Sequence, residues 1–548
     1  MDFDYAMAEG VAKSFKTHYR ENLRKAMEII AKKDISKKEL KDMLAYIDKE
    51  YGEAPTLKRN SEYEKHEADY LVEHFGINKD QIADLQNFAY NEGYKDTDRE
   101  TYQAMESFLH NLNTMHSRGG GQTAFSSINF GLDTTEEGRM AMKNYLLSAE
   151  AGLGNGETAI FPISIFRVLD GINGEPGDPN YDLFQLAIRC SAKRLFPNFS
   201  FQGASFNYAL YDPNDKRTEI AYMGCRTRVA ANVYDPSRQI TYKRGNLSFT
   251  SINLPRLAIE ADHDIDKFFV SLDKTIDLVI DQLLDRMAFQ SRFKARNFPF
   301  LMGQGIWLDS ENLGPDDTVA EVIKHGTLSC GFIGLAECLV ALIGKHHGES
   351  DEAQELGLKI IGHMRDRMDE QSKKTGLNFT LLGTPAESLS GRFVGLDKQK
   401  YGVIPKITDR DYYTNSSHVP VYYPTDAYHK IDIEAPYHKL ENAGHISYIE
   451  LDGDVLQNTT AFERIIQYMK EKDMGYVSIN HASSDRDPVC GFVGVIGDTC
   501  PCCGRSENDG SGPKFERLRR ITGYLVGTLD RWNNAKRAEE RDRVKHGV

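Results

Sequence analysis

Two textures of hydrophobic and polar positions divide this chain. Over the first hundred or so residues apolar side chains recur at helical spacing, as in "FKTHYRENLRKAMEIIAKK", with charges on the opposite face. "SKKE", Ser36 to Glu39, sets a serine three residues before a glutamate, the spacing of a capping box that opens the next helix. From about residue 116 the period changes. "QTAFSSINFG", "TAIFPISIF", "NLSFTSINL" and "HISYIELDG" are short β-rich runs. Helical stretches such as "TEEGRMAMKNYLLSAEAGL" and "SLDKTIDLVIDQLLDRMAF" separate them. Alternation of this kind predicts an α/β sheet or barrel. No internal repeat or low-complexity linker breaks it. The pattern therefore predicts a helical part over 1–115 that pads an α/β barrel over 116–480. A third part, 481–548, is rich in Gly, Cys and Asp and closes with "DRWNNAKRAEERDRVKH", which reads as a solvated helix face.

Composition narrows the classes. The chain has 548 residues, 40% of them hydrophobic, enough for a large core. A formal net charge of −14 argues against a nucleic-acid-binding surface. It leaves room for nucleotides, which a pocket of backbone amides can hold. No apolar run is long enough for a membrane span. "MDFDYAMAEG" lacks the basic and then apolar regions of a secretory signal, so the expected location is cytoplasmic.

Four of the eight cysteines fall within "DPVCGFVGVIGDTCPCCGR". In an acidic chain without a signal such a cluster reads as a metal site before disulfides. Cys500 and Cys503 form one C-x-x-C knuckle, and Cys490 precedes them by ten residues. Facing knuckles build the tetrahedral thiolate site of a zinc ribbon. The position that would complete the first knuckle is Asp487. Asp487 and His481 are the candidates for the fourth zinc ligand, with Cys502 an outside choice. Cys190, Cys330 and Cys338 read as core, and His116, His346, His347, His438 and His445 receive no catalytic role.

Beyond the ribbon comes "RRITGYLVG", with Gly523 at its centre. Here the chain resembles the glycyl radical enzymes, and among them the anaerobic (class III) ribonucleoside-triphosphate reductases. The motifs occur in family order: "FLHNLNTMHSRGGGQTAFSSINFG", "AGLGNGETAIFP", "GDPNYDLFQLA", "AKRLFPN", "MGCRTRV", "RGNLSFTSINLPRLAIEA", "GTPAESLSGRF" and "APYHKLENAGHISYIELDGD". The resemblance implies a ten-stranded α/β barrel around a finger loop. It implies a stored radical on Gly523, made by a radical S-adenosylmethionine activating enzyme. A glycine suits that radical because no side chain crowds the flattened Cα. Cys225 matches the thiyl-forming cysteine, Asn246 a ribose-binding amide, and Met223 a methionine associated with formate as reductant. Thr384, Ala386, Glu387 and Ser388 resemble the turn that receives the triphosphate at a helix start. Deoxynucleotide effectors and a homodimer follow from the same likeness.

Two departures accompany it. Relatives carry an ATP-cone and a first barrel strand with a cysteine, whereas this sequence resembles the family from a point downstream of both. Losing that strand would expose sheet edges. It makes a non-catalytic relative the rival reading. A glycyl radical enzyme of the formate-lyase type is the other rival. It would need adjacent catalytic cysteines, and the one adjacent pair, Cys502 and Cys503, lies in the ribbon.

Overall fold

Four helices, Phe3–Ile29, Lys37–Tyr51, Ser61–Phe75 and Lys79–Thr114, build the N-terminal part of this computed structural model, which describes residues 2–118, 122–123, 125–508, 510, 512–521, 524–526 and 532–547. The Ser36–Glu39 capping box forms: the Glu39 amide donates to Ser36 Oγ and the Ser36 amide to Glu39. The apolar stripe of the first helix, Phe15, Leu23 and Met27, shares one hydrophobic cluster with Phe130, Phe166 and Phe199 of the adjoining sheet.

Eight strands form the two main sheets: β1 (Ser127–Phe130), β2 (Ile163–Val168), β3 (Asn198–Phe201), β4 (Asn246–Asn253), β5 (Thr327–Ile333), β6 (Asn378–Gly383), β7 (Ser447–Glu450) and β8 (Tyr476–Asn480). The first sheet has the order β7-β8-β3-β2-β1, parallel except where β8 meets β3. The second has the order β6-β5-β4 and is parallel throughout. Parallel neighbours need crossovers. Glu136–Ala151, Tyr181–Arg194 and Thr459–Glu471 supply them in the first sheet; in the second, Leu254–Ala261 with Ile265–Gln290 lies between β4 and β5, and Leu335–Ile343 with Asp351–Thr375 between β5 and β6. Every residue of β2, β3, β5, β7 and β8 is buried, as sheets covered on both faces require.

Two more segments reach the sheets through single bridges, Asp2 beside Asn129 of β1 and Gly444 beside Leu382 of β6. Thus, among the described residues, eight ladder strands and two bridged segments stand where ten strands are expected. The Gly444 segment joins the two sheets, since it pairs with β6 and runs on into β7.

The last helix, Asn534–Asp542, corrects one expectation. Its charges predict a solvated face, yet Ala535, Lys536, Ala538 and Glu539 are buried. Burial is tolerated because Lys536 Nζ donates to Glu539 at 2.6 Å, so the charges cancel, while Ala535 and Ala538 pack on Tyr412. No described helix is long and apolar enough to cross a membrane.

Candidate functional site

Inside the barrel a hairpin pairs Tyr222–Met223 with Thr227–Arg228 and leaves Cys225 at its tip. Gly224 turns the chain with φ +55°, a left-handed conformation that suits glycine. The hairpin is strapped on several sides. Asn129 of β1 exchanges two hydrogen bonds with the Tyr222 backbone, at 2.9 and 3.0 Å, and so mimics a strand neighbour. The Gly224 amide donates to Ser127 Oγ. Tyr476 of β8 stacks on Tyr222 with ring centroids 4.6 Å apart and donates its hydroxyl to the Gly224 carbonyl at 3.4 Å. On the far side the Arg228 amide donates to the Ala443 carbonyl at 2.6 Å.

Cys225 is half-buried. Burial pushes its thiol up to about 11, the Glu387 charge adds to this and Arg226 opposes it. At neutral pH the sulfur therefore keeps its hydrogen. That suits exchange of a hydrogen atom better than attack by a thiolate. Met223 pairs with Thr227 one residue before Gly224, so it borders the same turn.

A second hairpin approaches the first. Arg519–Ile521 pairs antiparallel with Tyr524–Val526, and Ile521 lies opposite Tyr524. Between them come Thr522 and Gly523, which lie outside the described residues. The arm before Gly523 is fixed by Arg520, which is fully buried. Its guanidinium donates to Asn480 Oδ1 (2.9 Å), Asn198 Oδ1 (2.6 Å) and the carbonyls of Leu195 (2.9 Å) and Ile479 (2.8 Å). Asn198 Nδ2 in turn donates to the Tyr476 hydroxyl at 2.7 Å. A chain of polar contacts thus runs from Arg520 through Asn198 and Tyr476 to Gly224, the neighbour of Cys225. Strand alternation makes it possible: Tyr476, Ser478 and Asn480 share the inward face of β8, while Val477 and Ile479 pack outward. Leu518 and Leu525, on either arm of the second hairpin, sit in one apolar cluster with Tyr222, Tyr448 and Tyr476.

The turn Thr384–Ser388 lies between the end of β6 and the helix Leu389–Tyr401. Thr384 and Ala386 are buried and Ser388 is exposed. The Ala386 amide donates to Asn415 Oδ1 and the Glu387 amide to the Pro385 carbonyl. Arg226, next to Cys225, donates Nη1 to the Gly383 carbonyl at 3.1 Å, which ties the finger tip to this turn. Asn246 is not brought to the tip. It starts β4 opposite Thr327, level with Asn378 at the beginning of β6, whereas the tip lies at the far end of β6. Its amide donates to Thr327 Oγ1 and Ser329 Oγ at 2.9 and 2.6 Å.

Among the ribbon residues, Asp487, Cys490, Cys500 and Cys503 bring four ligand atoms within 4.8 Å of one another. The Cys490 and Cys500 sulfurs are 3.6 Å apart, close to the edge of about 3.8 Å expected of a tetrahedron with zinc–sulfur bonds of about 2.3 Å. The donor set fits zinc. Arg505, which donates to Asp487 Oδ1 at 2.7 Å, holds that carboxyl well below the usual range and ready to ligate. His481 does not join the cluster: it is buried against the Ser191 carbonyl at 3.0 Å. Cys502 is exposed and also stays outside. Cys190, Cys330, Cys338 and His346, His347, His438 and His445 are all buried, as core residues. The side chain of His116 lies outside the described residues.

Sequence reasoning missed Arg520, Asn198, Tyr476 and Asn129. Arg520 stands within the quoted glycine motif, but its partners are scattered across the chain and carry no local signal.

Comparisons with known proteins bear on this arrangement. A family model described as anaerobic ribonucleoside-triphosphate reductase matches residues 2–546. The enzyme of that name from Escherichia coli K12 is 36% identical over 467 residues, 83% of this chain and 63% of the relative. The Salmonella typhimurium enzyme is 36% identical over 85% of this chain and 64% of its own length. The phage T4 enzyme is 33% identical over 90% and 77%. The chain thus spans a little under two thirds of the two bacterial relatives. The anaerobic ribonucleotide reductase of Thermotoga maritima, solved with dATP and CTP, is similar with a TM-score of 0.57 at 14% identity, covering 96% of this chain and 90% of that one. The glycerol dehydratase of Clostridium butyricum, described as B12-independent, gives 0.51 at 12%, covering 85% and 67%. These two likenesses show a shared fold. With the family match spanning nearly every residue, the chain belongs to the anaerobic ribonucleoside-triphosphate reductase family, glycyl radical enzymes built on an α/β barrel.

Proposed function

We propose that this chain reduces ribonucleoside triphosphates to 2′-deoxyribonucleoside triphosphates in the absence of oxygen, with an unpaired electron passing between Gly523 and Cys225. The observation that carries the reading is the shared interior of the two hairpins: Leu518 and Leu525, on the arms around Gly523, pack in one cluster with Tyr222, three residues before Cys225.

A glycyl radical at Gly523, generated by a radical S-adenosylmethionine activating partner, supplies the stored electron hole. Cys225 offers a protonated thiol for exchange, and the resulting thiyl takes the ribose 3′-hydrogen. The 2′-hydroxyl then leaves as water. Formate is the proposed reductant, and the sum balances: ribonucleotide, formate and a proton give deoxyribonucleotide, carbon dioxide and water. Met223 borders the turn where that reduction would occur. The triphosphate would sit at the turn Thr384–Ser388, against the first-turn amides of the following helix. Asn246 is assigned no step, because it lies at the other end of its sheet. Asp487, Cys490, Cys500 and Cys503 would hold a structural zinc ion that fixes the ribbon ahead of the Gly523 hairpin. A homodimer with deoxynucleotide effectors completes the proposal.

The test is anaerobic activation with the radical partner, followed by electron paramagnetic resonance and CTP reduction. The expected result is a doublet signal that Gly523→Ala abolishes. Cys225→Ser keeps the doublet and loses dCTP formation. A doublet that survives in Gly523→Ala, or dCTP made by Cys225→Ser, refutes the reading.

A further inference from the structure

The hydrogen bonds between the Gly523 arm and the Cys225 turn have a direction, and one residue sets it. Arg520 stands three residues before Gly523. A guanidinium donates and never accepts, so the Asn198 side chain must turn its oxygen toward it. Oδ1 lies 2.6 Å from Arg520 Nη1, and Ser478 Oγ donates to the same oxygen at 2.7 Å. With Oδ1 committed, Nδ2 faces Tyr476 and donates to the phenol oxygen at 2.7 Å. The phenol carries a single hydrogen. Its oxygen already receives the amide, so that hydrogen is directed at the Gly224 carbonyl, 3.4 Å away.

The receiving carbonyl is well placed to aim the sulfur. It belongs to the peptide plane that ends at the Cys225 nitrogen. Gly224 has φ +55° and no Cβ, so local sterics leave that plane free to turn. Ser127 Oγ receives the Gly224 amide at 3.2 Å and so holds the plane before it. The Tyr476 hydroxyl holds the plane after it.

Arg520, Asn198 and Tyr476 are all buried, so bulk solvent does not make good a lost link. The acceptors of Arg520 are four neutral oxygens, two from asparagines and two from the backbone. The ring of Tyr476 is held independently of its hydroxyl, by the stack on Tyr222. Burial keeps the Tyr476 phenol well above its ordinary range, so the hydrogen stays in place.

We infer that Asn198 and Tyr476 are positioning residues for the radical transfer: they carry the hydrogen-bond direction imposed by Arg520 to the Gly224 carbonyl, and so set the direction in which Cys225 presents its sulfur. Neither side chain reacts. The inference rests on the proposed reading in so far as Cys225 exchanges with Gly523. It joins the two hairpins by polarity as well as by packing. A docked Arg520 orders the cysteine turn through two intervening side chains, neither of which is close to Cys225 in sequence.

The experiment first reads Cys225 without a radical. The unactivated full chain is alkylated with iodoacetamide, and the rate at each cysteine is followed by mass spectrometry. Cys190, Cys330 and Cys338 are buried and serve as controls within the same chain. Tyr476→Phe keeps the ring and removes the bond to Gly224. Asn198→Asp keeps an oxygen for Arg520, now charge-assisted, but offers no hydrogen to Tyr476. The phenol hydrogen then turns to the new carboxylate and away from Gly224. Each variant should speed alkylation of Cys225 about threefold to tenfold, the worth of one hydrogen bond, with the control rates unchanged. The double variant breaks the same link twice, so it should do no more than either change alone. After activation with the radical partner, each should keep the KM for CTP while kcat per radical falls about threefold to tenfold. Thermal melting confirms folding, and either single variant serves if the other does not fold. A wild-type Cys225 rate in a folded variant overturns the inference. So does an equal rise at Cys330 and Cys338, an additive double variant, or a raised KM with kcat kept. Wild-type dCTP formation by both variants rejects the positioning role and keeps the radical reading. Faster alkylation confined to Cys225, in a protein whose activated wild type makes no dCTP, keeps the link to the sulfur and rejects the radical reading.

Discussion

Gly444→Ala should disable the Cys225 hairpin without touching either the cysteine or the glycine motif. Gly444 adopts φ +128° where its segment passes under the hairpin. A Cβ built there would lie 2.7 Å from the Arg226 carbonyl carbon and 3.0 Å from the Arg228 nitrogen, and nearer still to the Arg226 carbonyl oxygen. These are backbone atoms, so no side chain can swing aside. Carbon–carbon contacts settle at about 3.5–4.0 Å, so the hairpin must retreat by about 1 Å. It is pinned meanwhile by the Arg228 amide on the Ala443 carbonyl. Backbone strain of about 1–2 kcal/mol and overpacking of about 1–3 kcal/mol together cost about 2–5 kcal/mol of stability. A 1 Å displacement of a reacting group is worth about a hundredfold in rate. The assay is CTP reduction per unit of radical signal, alongside denaturant unfolding. Gly402→Ala is the control: φ is +80° and no atom lies within 4 Å of the added Cβ, so it pays the backbone strain alone. The radical yield should hold while turnover per radical falls about a hundredfold in Gly444→Ala only. Wild-type turnover in Gly444→Ala would show that the close approach does not set the position of Cys225.

Three further outcomes are expected. Arg520→Met removes the guanidinium bonds to Asn480 Oδ1, to two carbonyls and to Asn198 Oδ1, which keeps its bond from Ser478 Oγ; with charged hydrogen bonds worth about 1.5–3 kcal/mol each, hydrogen exchange at Ile521 and Leu525 should quicken at least a hundredfold. Glu337, buried with one oxygen unpartnered, is raised to about 7 by burial. Its folded form holds a proton that the unfolded chain gives up near pH 4.5, so stability falls as pH rises from about 4.5 to 7, by about 3 kcal/mol over that window. Glu337→Gln should remove this slope in unfolding experiments, and an identical slope in the variant would assign it elsewhere. Asp487→Ala should lower bound zinc below one equivalent by metal analysis whereas His481→Ala retains it; the reverse result would make His481 the fourth ligand.

The strands and helices were legible because their periods differ, and the runs around Ile163–Val168 and Ser447–Glu450 became strands where the pattern placed them. Cys225 was legible through its motif "MGCRTRV", while its place at the tip of a hairpin, after Gly224 at φ +55°, emerged from the structure. Asn246 shows the limit. A motif names a residue, but its height in the barrel is a matter of register, and register placed it at the foot of β4. Arg520 was illegible as an anchor since Asn198 lies 322 residues away. The final helix misled because composition counts charges singly, while Lys536 and Glu539 are buried as a neutral pair. The fourth ribbon ligand stayed open between Asp487 and His481 until geometry grouped Asp487 with the sulfurs.

Arg543 touches both sides of the segment that carries Gly523. It donates to Glu450 at 3.1 Å, where the returning chain docks through His546, and to the Arg520 carbonyl at 3.1 Å. The two feet of the loop are therefore buckled by the same strap. Opening it slackens both at once, so losing Arg543 should loosen Arg519–Ile521 and the final helix together.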